Sequence, residues 1–117
     1  MMYSIHKEDA KTLDLPGRFV HVFVGMDKLE SERMTVGLTE VHPETDMQPH
    51  THEDKEEIIF VIDGYGEAVV GGSKEKLEAN TAVVFPIGVE HVVKNYGKNP
   101  LRFVFMFNPT HDFDGVG

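Results

Sequence analysis

At 117 residues the chain has the length of one domain, and its 40% apolar and 26% charged composition is that of an ordinary globular protein. A formal net charge of -9 argues against nucleic acid and against an anionic membrane surface, since both need a basic stripe. The absence of cysteine excludes disulfides, thiolate metal sites and cysteine nucleophiles.

No apolar h-region follows the first residues Met-Met-Tyr-Ser-Ile-His-Lys, so no signal peptide is expected; with no cysteine, this points to a cytoplasmic protein. The longest apolar runs are far too short to span a membrane. Helical periodicity is nearly absent. Strand-like runs recur instead, at Arg18 to Val24, Met34 to Val41, Ile58 to Ile62, Glu67 to Val70, Thr81 to Phe85, His91 to Lys94 and Leu101 to Phe107. Turn signals separate them: Pro16-Gly17, Asp63-Gly64, Gly71-Gly72, Pro86-Ile87-Gly88 and Gly97 to Pro100. The charged run Lys28 to Met34 has room for one helical turn. Short strands with tight turns predict an all-β, antiparallel sandwich or barrel, a single domain over 1–117 with its core about 18–108. The tails, 1–12 and 110–117, are weakly patterned and expected to fray or to lie along a sheet edge. In the last strand Phe103, Phe105 and Phe107 share one face, which predicts that they fill the space between two sheets.

Seven histidines are present, and two of them stand as His50-Thr51-His52 ahead of a polar run ending in Glu56-Glu57. On an extended chain residues two apart project to one side, so these imidazoles sit together. A turn over the polar run would bring the following strand back antiparallel, with a carboxylate opposite them. Strict alternation selects Glu56, and a turn that resets the phase permits Glu57. Further on, an apolar strand stops at Pro86-Ile87-Gly88 and His91 follows, which the turn would carry back over the same sheet face. Three imidazoles and a carboxylate form a site for one divalent first-row metal ion.

These intervals resemble the two motifs of the cupin superfamily, G-x5-H-x-H-x3,4-E-x6-G and G-x5-P-x-G-x2-H-x3-N. His50, His52, Glu57 and Gly64 match the first; Pro86, Gly88, His91 and Asn95 match the second. The leading glycines are replaced by Glu44 and Asn80. Asparagine tolerates a left-handed backbone, whereas Glu44 implies a different loop. The resemblance implies a jelly-roll barrel, the double-stranded β-helix of small bacterial cupins. It selects His50, His52, Glu57 and His91 as ligands, with Glu56 as fallback, for Mn, Fe, Co, Ni or Zn. It gives Asn95 a structural role and makes a homodimer the expected assembly.

Ile59 and Val61 share parity with Glu57 and are expected to line an apolar pocket wall. Among polar residues near the motifs, Arg102 is a candidate clamp for a substrate carboxylate, with Tyr65, His42 and Glu40 as further neighbours. His42 and His21 are possible acid–base groups, though packing or surface roles are the commoner fate of such residues. His6 and His111 are expected on the surface. The implied function is metal-dependent chemistry on a small oxygen-rich metabolite, a carboxylate or sugar derivative, of the decarboxylase, dioxygenase, isomerase or lyase type. The alternatives are a non-catalytic small-molecule-binding or sensor cupin and a purely structural protein.

Overall fold

The computed structural model describes residues 2–113. A short 3-10 turn at Lys7–Asp9 precedes ten strands: β1 Lys11–Leu15, β2 Arg18–Val24, β3 Thr35–Val41, β4 Thr45–Asp46, β5 Glu56–Asp63, β6 Gly66–Val70, β7 Ser73–Leu77, β8 Ala82–Phe85, β9 His91–Asn95 and β10 Leu101–Asn108. They form a six-stranded sheet, ordered β1-β2-β3-β10-β5-β8, and a four-stranded sheet, ordered β4-β9-β6-β7. Every ladder is antiparallel. This is the antiparallel all-β architecture that the strand and turn pattern predicts, in the jelly-roll form that the cupin resemblance implies. Among the described residues no helix is long and apolar enough to cross a membrane.

The core is built by alternation. Leu101, Phe103, Phe105 and Phe107 of β10 point inward, as do Ile59 and Val61 of β5 and Val20 and Val22 of β2. The three phenylalanines lie between the two sheets, as their shared face requires. Phe105 is registered with Gly37 of β3 on one side and with Ile59 of β5 on the other. Its ring lies over the space where residue 37 has no side chain: a Cβ there would run into the Phe105 ring and the His21 carbonyl oxygen.

Three strands escaped the sequence pattern. β1 is an edge strand paired with β2, from Lys11↔Val22 to Leu15↔Arg18, so the N-terminal segment lies along the large sheet. β7, Ser-Lys-Glu-Lys-Leu, is a small-sheet edge whose only buried residue is Leu77, and an edge of that kind shows no alternation of apolar side chains. β4 has two residues. No helical turn forms over Lys28 to Met34. The backbone there closes a tight loop in which Gly25 N–H donates to Leu29 O at 2.7 Å and Leu29 N–H to Phe23 O at 3.2 Å.

The two positions that depart from the glycine motif both adopt left-handed backbone, Glu44 at φ 53° and Asn80 at φ 72°. The expectation of a different loop at Glu44 is therefore corrected: the left-handed turn is kept, on a residue that strains to adopt it. Replacing Glu44 with glycine is expected to stabilise the protein by about 0.5–1 kcal/mol, the relieved strain exceeding the added entropy of the unfolded chain. A urea midpoint that falls in Glu44→Gly would show that the side chain supports the turn.

Asn95 holds the adjoining loop. Its buried Nδ2 donates toward the Val41, His42 and Asn99 carbonyls at 2.9–3.1 Å, and its Oδ1 accepts from Gly97 N–H at 2.9 Å. The residue satisfies backbone groups that the β3–β4 and β9–β10 connections leave without ladder partners.

Candidate metal centre

His50 and His52 lie on an extended segment that runs beside the small sheet. His50 exchanges both backbone hydrogen bonds with His91, each at 2.8 Å. Their rings project together, as residue spacing requires, with centroids 6.3 Å apart and planes at 5°. Glu57 comes from the other layer, on β5 in the large sheet, registered between Phe107 of β10 and Phe85 of β8. The polar run therefore does not make a hairpin that lays Glu57 beside the histidines. It carries the chain from one sheet to the other, and the carboxylate faces them across the barrel. β5 begins at Glu56, so Glu57, Ile59 and Val61 alternate inward together. Glu56 points outward to solvent and does not reach the imidazoles.

The Pro86-Ile87-Gly88 turn also crosses between layers. β8 ends in the large sheet at Phe85 and β9 opens in the small sheet at His91, so the turn does not return His91 over the same sheet. Gly88, at φ 73°, donates its N–H to His52 O at 2.8 Å and ties the turn to the histidine segment. The His91 ring stacks on Phe85 at 4.1 Å and 3°.

The result is a tight triangle. His52 Nε2 and His91 Nε2 each stand 3.6 Å from Glu57 Oε1, and one ligand atom from each of the three residues lies within 4.8 Å of the others. Two atoms each bonded at about 2.1 Å to one ion are separated by 3–4 Å, so the triangle has the dimensions of a coordination sphere. His50 stands just outside, its ring centroid 6.1 Å from that of His91.

Electrostatics favour the metal-binding form of the imidazoles. Burial, followed by the neighbouring His52 and His50, lowers the His91 pKa to about 4, with partial relief from the Val89 carbonyl. Burial, then Arg18 and His52, lowers His50 as well. Glu57 is 7% exposed, and burial raises its pKa against the opposing pull of His52 and Arg18. A buried carboxylate of this kind lacks the full counter-charge that a divalent ion would supply.

These groups line a partly open cavity of about 40 Å³. Its wall is apolar: Val20, Val93, Phe85, Phe103, Phe105, Phe107, Phe113 and Met47. Beyond the four metal-ligand candidates, the polar residues of the lining are Arg18 and Thr39.

The sequence-chosen substrate residues lie elsewhere. Arg102 is on the outer face of the large sheet, its Nε donating to Glu40 Oε2 at 3.1 Å. His21 joins the same outer network, contacting Glu40 Oε1 at 2.5 Å and Thr12 Oγ1 at 2.9 Å. Tyr65 is 66% exposed. His42 packs edge-on against Phe19 at 5.0 Å. Ile59 and Val61, expected in the pocket wall, are fully buried core and do not line the cavity.

Two residues were missed. Arg18 opens β2 and turns inward with Val20 and Val22; it is 6% exposed. Both faces of β2 carry apolar residues, so parity did not mark it. His111, expected on the surface, stacks on Phe107 at 4.2 Å and meets the His52 ring edge-on at 5.1 Å. Its backbone is pinned by Thr35 Oγ1, which accepts from His111 N–H at 2.9 Å, and this draws the segment beyond β10 against the barrel. Phe113 follows and closes one side of the cavity; residues 114–117 of the expected tail lie outside the described residues.

Comparison with known proteins agrees with this geometry. The cupin-domain family model matches residues 37–107. The polyketide synthase protein CurC of Streptomyces cyaneus is 30% identical over 82 residues, covering 70% of this chain and 53% of that protein. The chain thus spans about half the length of this curated relative. Among solved structures, KdgF from Halomonas sp. superposes with a TM-score of 0.79 at 21% identity, covering 96% of each chain. The polyketide cyclase RemF of Streptomyces resistomycificus gives 0.77 at 24%, covering 92% of this chain and 80% of that one. At such identities the structural matches speak for the fold.

Proposed function

The chain belongs to the cupin family, and on that premise we propose that it is a metal-dependent enzyme acting on a small oxygen-rich metabolite, a carboxylate or sugar derivative. The observation that carries this reading is the convergence of His52 Nε2 and His91 Nε2 on Glu57 Oε1, 3.6 Å each, from opposite sheets. His50, its ring 6.3 Å from that of His52 and 6.1 Å from that of His91, is the fourth ligand. The donor set suits Mn, Fe, Co, Ni or Zn. When bound, such an ion supplies Lewis-acid or dioxygen chemistry.

The chain's own residues do the rest. The depressed pKa of His91 and of His50 keeps these imidazoles neutral and free to ligate at neutral pH. Phe85, Phe103, Phe105 and Phe107 keep bulk water from the reacting atoms, which strengthens every electrostatic contact inside. The cavity is narrow and lined by phenylalanines, which favours a small substrate over a multi-ring polyketide.

One observation favours the non-catalytic reading, a small-molecule-binding cupin. Among the described residues, the cavity lining outside the ligand set offers no imidazole or carboxyl as a general acid or base. Ligand-induced thermal stabilisation without turnover over a broad panel of small acids and sugars would select it.

The deciding measurement is elemental mass spectrometry on untagged protein and on a His50→Ala/His91→Ala double variant. Near-stoichiometric metal that disappears in the variant is expected. A wild-type protein that refuses added metal would overturn the proposal.

In this reading residues 1–117 form one cytoplasmic cupin domain that works as a homodimer. The outer face of the large sheet exposes Phe60, Ile62 and Val84 by 40–48%, an apolar patch suited to a second copy. Sedimentation equilibrium should give twice 13.2 kDa for the wild type and a monomer for Phe60→Glu. A monomeric wild type at micromolar concentration would sink this assembly.

A further inference from the structure

The cavity holds one charged group that the proposed metal centre does not use. Arg18 projects its guanidinium into the same cavity as the four ligand candidates and is 6% exposed. Its hydrogen bond among the described residues runs from Nη1 to the Pro16 carbonyl at 3.1 Å. A guanidinium carries five N–H donors in a planar fork, so most of its donor capacity is left for something else. Its charge is felt at the centre: it opposes protonation of His50 and favours ionisation of Glu57. Burial itself disfavours the charged form, yet an arginine stays charged at any physiological pH. A buried, under-used guanidinium is costly unless an anion completes it.

Charge balance sharpens the point. Among the described residues Glu57 is the only carboxylate in the lining. Three neutral imidazoles, one carboxylate, one guanidinium and a divalent ion leave a net charge of about +2, held inside an apolar wall. A neutral sugar would leave that charge uncompensated, and it would meet only Thr39 and Arg18 as hydrogen-bonding partners beyond the ligand set. An anion fits both the charge and the donor fork.

We infer that the site takes a small carboxylate and that Arg18 is the residue that binds it and sets its orientation in the cavity. The inference rests on the metal-centre reading and narrows its substrate class. A planar carboxylate accepts two parallel N–H bonds from guanidinium, which fixes direction as well as charge. The cavity is narrow and walled by phenylalanines, so an acid of few carbons suits it. Arg102, chosen from sequence for this task, is occupied by Glu40 on the outer face.

The test is isothermal titration of the full chain loaded with Mn(II), with metal content measured on the same samples. Lactate is compared with lactamide, its neutral counterpart, and with inorganic phosphate. Wild-type protein should bind lactate at least tenfold more tightly than lactamide or phosphate. Arg18→Gln should lose about 10- to 100-fold in lactate affinity, with metal content and lactamide binding unchanged. Arg18→Lys, which keeps the charge but not the fork, should fall between them and guards against misfolding of the glutamine variant. Equal lactate affinity in metal-loaded Arg18→Gln would overturn the assignment, as would a preference for phosphate or lactamide. If the protein refuses metal, the metalloenzyme reading fails on its own. The anchor is then judged on the metal-free chain, where lactate binding that Arg18→Gln abolishes upholds it and no binding rejects it.

Discussion

Glu57→Gln is expected to stabilise the metal-free protein while weakening its hold on metal on the order of a hundredfold or more. The two effects share one cause. In the folded chain without an ion, burial raises the Glu57 pKa, so the ionised carboxylate is less comfortable folded than unfolded. A folded pKa above the unfolded value of about 4.3 means that stability falls as pH climbs past that value, until the folded carboxyl also ionises. Glutamine has nearly the same shape and no such cost; the gain at neutral pH is expected to be about 1–3 kcal/mol. His91 runs the other way. Its folded pKa of about 4 lies below the unfolded value near 6.5, so the unfolded chain binds the extra proton between those limits and stability rises with pH across that window. In the wild type the two slopes oppose each other, and in Glu57→Gln the histidine slope stands alone. Urea midpoints of chelator-treated protein from pH 5 to 8 should therefore separate, with the variant's advantage growing as pH rises. Loss of an outer-shell partner alone typically costs metal affinity 10- to 100-fold, and loss of the anionic ligand should cost at least the upper figure. A variant that is less stable without metal, or that retains metal as well as the wild type, would refute the role given to Glu57.

The largest effect on folding is expected at Gly37. A methyl group there would collide with the His21 carbonyl oxygen on β2 and the Phe105 ring on β10. Neither can yield cheaply. The carbonyl belongs to the backbone of β2, which is laddered to β3 with His21 opposite Leu38. The ring is held by Phe107 and Phe113, with centroids at 5.7 and 5.4 Å. Gly37→Ala should cost about 3 kcal/mol or more, lowering the melting temperature by roughly 10–15 °C. Adding Phe105→Leu should recover part of this, since it removes the ring but not the carbonyl. An alanine variant that melts within 3 °C of wild type would show that β3 shifts freely against its neighbours.

The barrel was legible because its strands carry apolar residues on at least one face and end at Gly, Pro and Asn. β7 was not, because an edge strand of Ser73, Lys74, Glu75 and Lys76 has no buried stripe to announce it. Spacing singled out His50, His52 and His91, of which the structure gathers His52 and His91 with a carboxylate, but no local rule could choose between Glu56 and Glu57. That choice depends on where β5 begins, which pairing with β10 and β8 decides. Sequence also misread the route: both connections that deliver ligands cross between sheets, and alternation along one strand carries no information about the layer it joins. Arg18 was overlooked beside the Pro16-Gly17 turn. Arg102 was a candidate because it lies near the motifs, but its side chain falls on the outward parity, opposite to Phe103, in keeping with the surface role that is the commoner fate of such a residue.

The placement of Glu57 in one layer and His91 in the other has a mechanical consequence. An ion shared between them would act as a rivet through the seam of the barrel, adding a bond to the packed side chains and the Asn95 hydrogen bond to Val41 O that already join the layers. Hydrogen exchange in β6 and β9 of the small sheet should then slow when metal is added and quicken on chelation, because those strands could not peel away without first breaking a ligand bond. Filling the site and fastening the two halves of the molecule would be one event.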